Sequence, residues 1–173
     1  MSARGTRATD ELSRLGVAHV VLEYEPPERH GSAREGRPAY GLDAATALGV
    51  APDRICKTLV AIVDGKPVLA IVPVDRTLDL RRLAAALGGR RADLAEPGEA
   101  ERATGYVIGG ISPIGGRRRL PAVPDDGALA HSTIFVSAGR RGLQVELAPA
   151  DLLRVIGGLT AQIGVARETE RRW

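Results

Sequence analysis

A chain of 173 residues that is 44% hydrophobic, with a formal charge of +3, is long enough for one domain with a real core. It contains no apolar run approaching the ~20 residues of a membrane span, and residues 1 to 16 lack the apolar segment of a signal peptide. The single cysteine, Cys56, excludes an internal disulfide framework, so a cytoplasmic protein is expected.

In chain order, residues 8 to 16 predict a short helix capped by Thr9 or Asp10 and stopped by Gly16, and Val17 to Tyr24 reads as a strand. Glu25 to Pro38, with three prolines and two glycines, predicts a long surface loop of the kind that is functional or disordered. Leu42 to Leu48 is a short helix ended by Gly49. Arg54 to Val63 is a strong strand, and Asp64-Gly65 turns it into a second one, Pro67 to Val74. Helix Leu78 to Leu87, strand Arg91 to Ala95 and helix Pro97 to Thr104 follow, the last opened by Pro97 and closed by Gly105. Leu120 to Val123 and Thr133 to Ser137 read as strands, and Gly139 to Gly142 turns the chain into Leu143 to Leu147. A helix over Pro149 to Ile156, a strand over Leu159 to Ile163 and a charged tail over Ala166 to Trp173 complete the series. Both faces of Arg54 to Val63 are apolar, which predicts a strand covered on both sides. The expected fold is therefore mixed α/β: a largely antiparallel sheet curled into a barrel with helices around it. The division expected is an N-terminal helix over 1–16, one domain over 17–165 and a tail over 166–173.

Three features carry chemistry. Gly105 to Gly116 holds five glycines and a proline yet also Val107, Ile108, Ile111 and Ile114, so it reads as an ordered loop. Its backbone N–H groups can approach a ligand, although a tight corner without a ligand has the same composition. Lys57 lies mid-strand with Ile55 and Leu59 on its own face, where an ammonium group needs a partner or a wet cavity. An edge-strand lysine that snorkels to water is the alternative. Arg117, Arg118, Arg119, Arg140 and Arg141 follow two glycine-rich turns and suit a phosphate-contacting face, or equally a solvated one. The histidines His19, His30 and His131 and the lone Cys56 are too widely spaced for a metal signature, and neither metal nor cofactor is expected. No nucleophile–histidine–acid arrangement is legible. Catalysis would have to lean on Lys57, loop N–H groups and the substrate itself.

The segments Cys56-Lys-Thr-Leu-Val-Ala, Thr104-Gly-Tyr-Val-Ile-Gly-Gly-Ile-Ser-Pro-Ile-Gly, Arg119-Leu-Pro and Ser137-Ala-Gly-Arg-Arg-Gly-Leu resemble the YbaK/EbsC family of Cys-tRNA(Pro) deacylases. That family is related to the editing domain inserted in bacterial prolyl-tRNA synthetases. The resemblance spans Val17 to Ile163 and implies a trans-editing hydrolase. Its substrate would be tRNA(Pro) bearing the wrong amino acid, and the synthetase itself is a candidate partner. The resemblance places the pocket lysine and its threonine neighbour at Lys57 and Thr58. The G-x-x-x-P loop falls on Gly109 to Pro113, with Gly109 and Gly110 as oxyanion donors and Ile111, Ser112 and Pro113 lining the substrate site. Pocket aromatics fall on Tyr24 and Tyr40. In the resembling enzymes the substrate's own thiol attacks the ester, and Lys57 would hold the terminal adenosine, its phosphate or the α-amino group.

Two departures stand out. The stretch between Tyr24 and Tyr40 is long for the family, and Gln144 replaces a pocket aspartate, with Glu146 on the same strand face as a local substitute for the lost charge. The rival readings are a deacylase for another misacylated tRNA such as Ala-tRNA(Pro), and a non-catalytic tRNA- or synthetase-binding module.

Overall fold

Side-chain caps and buried stripes set the element boundaries in the computed structural model, which describes residues 5–26 and 40–166. Most of the proline-rich stretch expected as a loop, the first four residues and nearly all of the charged tail lie outside the described residues. Helix α1 (Arg7–Arg14) opens one turn earlier than expected. Its cap is Thr6, whose hydroxyl accepts from the Thr9 N–H while the Thr9 hydroxyl accepts from the Thr6 N–H. Ala8 and Leu12, four residues apart, are fully buried in the main core.

Strand β1 (Val20–Glu23) is followed by α2 (Tyr40–Leu48), and a 3-10 turn over Pro52–Arg54 leads into β2 (Cys56–Val63). Then come β3 (Lys66–Pro73), β4 (Arg76–Leu78), α3 (Leu80–Ala86), β5 (Ala92–Leu94) and α4 (Pro97–Thr104). The glycine loop leads to β6 (Ala122–Pro124), a 3-10 turn over Asp126–Ala130, the hairpin of β7 (Ile134–Ser137) and β8 (Leu143–Leu147), α5 (Pro149–Ile156) and β9 (Gly164–Ala166). No helix among the described residues is long and apolar enough to cross a membrane.

The mixed α/β class holds, but the expected barrel does not: the described strands form open sheets ordered β1-β8-β7, β5-β2-β3-β6 and β4-β9. The reason lies in β2. Its two apolar faces serve two different cores rather than the inside and outside of one closed wall. Cys56 and Val60 join the main core with Ile71, Val136 and Val145, whereas Ala61 and Val63 pack with Ala70, Val72 and Leu83 of α3. β6 adds to β3 in parallel, and every other strand pair is antiparallel.

Two elements depart from expectation near Asp125. The strand expected at Leu159 to Ile163 is replaced by β9, three residues long and further on, because buried Asp125 Oδ1 accepts the N–H groups of Ile163 at 2.9 Å and Gly164 at 2.7 Å. The helix expected from Leu78 starts at Leu80, where Asp79 Oδ1 accepts the N–H groups of Arg81 and Arg82; the residues before it form β4, the partner of β9.

One edge of β2 positions the site. β5 pairs with Ala61 to Val63 only, and β7 meets the same sheet through a bridge between Ile55 and Phe135. Between these two neighbours no described strand pairs with the edge at Thr58. The Val60 carbonyl, which accepts the Ala95 N–H at 3.0 Å, shows which backbone groups face that edge. By strand alternation those of Thr58 face it as well.

Candidate active site

A cavity of about 520 Å³ opens beside this edge, a volume within the ~300–1,000 Å³ range of small-molecule sites. β2 supplies Lys57 and Thr58, the end of β1 leads to Tyr24, α2 contributes Tyr40, the glycine loop Ile108, Gly109 and Ile111, and the β7–β8 hairpin Ser137 and Gln144. Seven of the ten residues anticipated from sequence thus line one cavity: Lys57, Gly109, Tyr24, Tyr40, Thr58, Ile111 and Gln144. Gly110, Ser112 and Pro113 do not. Gly110 is packed against the Arg140 backbone, where a Cβ would lie 2.7 Å from the Arg140 Cα, and its N–H donates to the Val107 carbonyl at 2.9 Å. Ser112 and Pro113 line a second cleft of about 400 Å³ on another face of the loop, and the Ser112 hydroxyl accepts the Ile114 N–H.

Lys57 is half-buried, and its Nζ donates to the Arg76 carbonyl at 2.7 Å. It therefore reaches across from β2 to β4 along the cavity wall instead of snorkelling outward. Two buried oxygens in the lining have no hydrogen-bond partner among the described residues, Thr58 Oγ1 and Gln144 Oε1. Unsatisfied polar atoms in a cavity wall cost about 1–3 kcal/mol each. They mark places where a ligand's polar groups would be welcome.

Gln144 is only 7% exposed, and Glu146 cannot substitute for it, because Glu146 accepts from Arg54 at 3.2 Å and from the Thr133 hydroxyl at 2.6 Å, away from the cavity. Sequence reading did not single out Ser137, which lies directly opposite Gln144 in the hairpin register. That pairing was its available signal. Thr77 and Leu78 went unnoticed because β4 itself did.

None of the cavity's described lining side chains is a carboxylate or an imidazole. Burial, reinforced by Asp125 and Asp75, pushes the Cys56 thiol up to about 12, so it is protonated at neutral pH and unfit as a nucleophile. Burial also raises the Tyr24 phenol, against hydrogen bonding from Gly142 and Gln144, and Asp43 adds to the rise. The wall can orient, donate and accept hydrogen bonds and hold negative charge, but it carries no general base. Among the described residues no group of three or more His, Cys, Asp or Glu is placed to hold a metal ion.

A family model described as "Aminoacyl-tRNA editing domain" matches residues 39–155. The proposed Cys-tRNA(Pro)/Cys-tRNA(Cys) deacylase EbsC of Enterococcus faecalis is 41% identical over 168 residues, covering 94% of this chain and 98% of its own. The multifunctional Ser/Thr-tRNA deacylase ProXp-y of Escherichia coli K12 is 38% identical over 83% of each chain. Among solved structures, a proposed trans-editing enzyme for prolyl tRNA synthetase superposes with a TM-score of 0.74 at 26% identity, over 92% of this chain and 96% of that one.

Proposed function

Because the chain belongs to the aminoacyl-tRNA editing domain family, we propose that it hydrolyses the ester joining a wrong amino acid to the 3′ end of tRNA(Pro), with cysteine as the amino acid removed. The observation that carries this reading is the cavity wall. It combines a cation, an available loop N–H and unpartnered oxygens with a complete lack of described carboxylates and imidazoles. Such a wall suits a substrate that brings its own nucleophile. The cysteine thiol gives its proton to water as the sulfur attacks the ester carbonyl, the C–O bond to the ribose breaks, the ribose oxygen takes a proton back from water, and a further water opens the resulting cyclic thioester to free cysteine.

The protein's contribution is positioning and charge stabilisation. Among the described residues the Gly109 N–H has no acceptor, so it is the group offered to the developing oxyanion. Lys57 provides the positive charge for the terminal nucleotide's phosphate. Tyr24 and Tyr40 supply flat surfaces for the terminal adenine, as aromatic rings do for unstacked bases. Editing by a separate pocket answers a physical limit, since a proline-sized site cannot reject a similar small side chain by binding alone.

A second reading is favoured by one observation. Thr58 Oγ1 and Gln144 Oε1 are both unpartnered and neutral, which suits a hydroxyl amino acid, the class removed by the ProXp-y relative. Deacylation of tRNA(Pro) charged in turn with cysteine, serine, threonine, alanine and proline tests both. Thiol-dependent release supports the first reading, release of serine or threonine supports the second, and binding without release sinks both.

A further inference from the structure

We propose that Arg141 is a positioning residue for this site: by holding the Ile108 carbonyl it sets the Ile108–Gly109 peptide so that the Gly109 N–H is presented to the substrate. The proposal rests on the deacylase reading. The Arg141 Nε donates to the Ile108 carbonyl at 3.0 Å. In a trans peptide the C=O and the following N–H point in opposite directions, so a partner that fixes the Ile108 carbonyl also fixes the Gly109 N–H. From the other side, the Ile108 N–H donates to Glu101 Oε1 on α4 at 3.0 Å. Of three successive loop N–H groups, those of Ile108 and Gly110 are therefore committed, and that of Gly109 alone has no acceptor among the described residues.

The contact is built, not incidental. The Arg141 guanidinium carbon lies 4.7 Å from the centre of the Tyr40 ring, so the side chain is held between α2 and the loop. Gly109 has φ +86, and a Cβ there would lie 2.7 Å from Arg141 Nε and 3.0 Å from the Tyr40 ring. Only glycine lets the three groups meet. A cation on the carbonyl also polarises the peptide, which strengthens the N–H as a donor to an oxyanion. Arg140, its neighbour in the turn, instead pairs with exposed Glu23 at 2.7 Å and touches neither the loop carbonyl nor the cavity.

The experiment compares wild type, Arg141→Ala, Arg141→Lys and Arg140→Ala by the Gly109 amide resonance, tRNA affinity and single-turnover deacylation. In Arg141→Ala the Gly109 amide should shift, and the rate should fall roughly 10–100-fold, a part of the 10²–10³ lost when such a donor is removed outright. Binding of tRNA should hold, Arg140→Ala should leave the Gly109 amide resonance in place, and added guanidinium should restore part of the rate. Arg141→Lys, which keeps the charge without the planar fork, covers the case in which the alanine variant fails to fold. An unchanged Gly109 amide overturns the proposal whatever the activity. Weakened tRNA binding with an intact rate also overturns it and makes Arg141 a phosphate contact. If wild type releases no amino acid from any charged tRNA, the deacylase reading fails, and the amide shift still decides the positioning claim.

Discussion

At the scale of single residues, Lys57 and Gln144 make separable predictions. Lys57→Ala removes the cavity's cation and should lower turnover about 100-fold while the protein stays folded, the scale of losing one preorganised electrostatic group. Near-normal release by a folded variant would remove Lys57 from the mechanism. Gln144→Met keeps the volume but deletes a buried oxygen that has no partner among the described residues, together with the amide N–H that bonds the Tyr24 phenol. The two losses offset, so stability should change by less than about 1 kcal/mol, while turnover falls about 10-fold as the substrate's polar group loses its complement. Thermal melts and the release assay together check it, and a fall in both would make Gln144 a scaffold residue. Lys57 was legible in the sequence because an ammonium between Ile55 and Leu59 contradicts its surroundings. The role of Arg141 was not, because two adjacent arginines in a turn suit a phosphate-contacting face or solvated charge equally, and only the fold reveals that one meets a carboxylate and the other a loop carbonyl.

At the scale of elements, the glycine loop does two jobs that composition cannot separate. Gly109 belongs to the cavity, whereas Gly110 lets the loop lie directly on the β7–β8 turn. Gly110→Ala should therefore destabilise by about 1–3 kcal/mol through overpacking against backbone that cannot rotate away. A melting temperature equal to wild type would show that the packing there is loose. The elements α4, β8 and α5 were readable to the residue because each has an unambiguous signal. Pro97 and Pro149 sit at first helical positions, left-handed Gly105 and Gly157 at helix ends, and the Gly139–Gly142 turn precedes β8. β4 and β9 were hidden, since each is three residues long and, among the described strands, they pair only with each other across the length of the chain, with Asp125 holding the Ile163 and Gly164 N–H groups where β9 begins. The barrel was misread because an apolar strand face does not say which core it enters.

At the scale of the whole molecule, two buried acids set an alkaline limit. The Cys56 thiol and the Tyr106 phenol are both raised to about 12, chiefly by burial, from 9.0 and 10.0. Between those values the unfolded chain binds fewer protons than the folded one, so their stabilising contribution is complete below about pH 9 and is lost as pH rises toward 12. Melting temperature should fall across that window, and less steeply in Cys56→Ala; identical slopes would contradict the assignment. The tRNA should also meet Arg118 and Arg119, which line the second cleft with Arg7 and Arg14. Changing Arg117, Arg118 and Arg119 together to Ala should flatten the salt dependence of binding, by about one log unit per log unit of salt for each phosphate that is no longer neutralised. The family match at 39–155 begins after α1 and β1 and ends before β9. Cutting the gene at those limits would strip β8 of a partner strand, take Ala8 and Leu12 out of the core and leave the Asp125 carboxylate facing vanished amides. The segment by which this domain is recognised is thus shorter than the set of described elements that pack on it, and a fragment cut to 39–155 should lose the cooperative melt of the full chain.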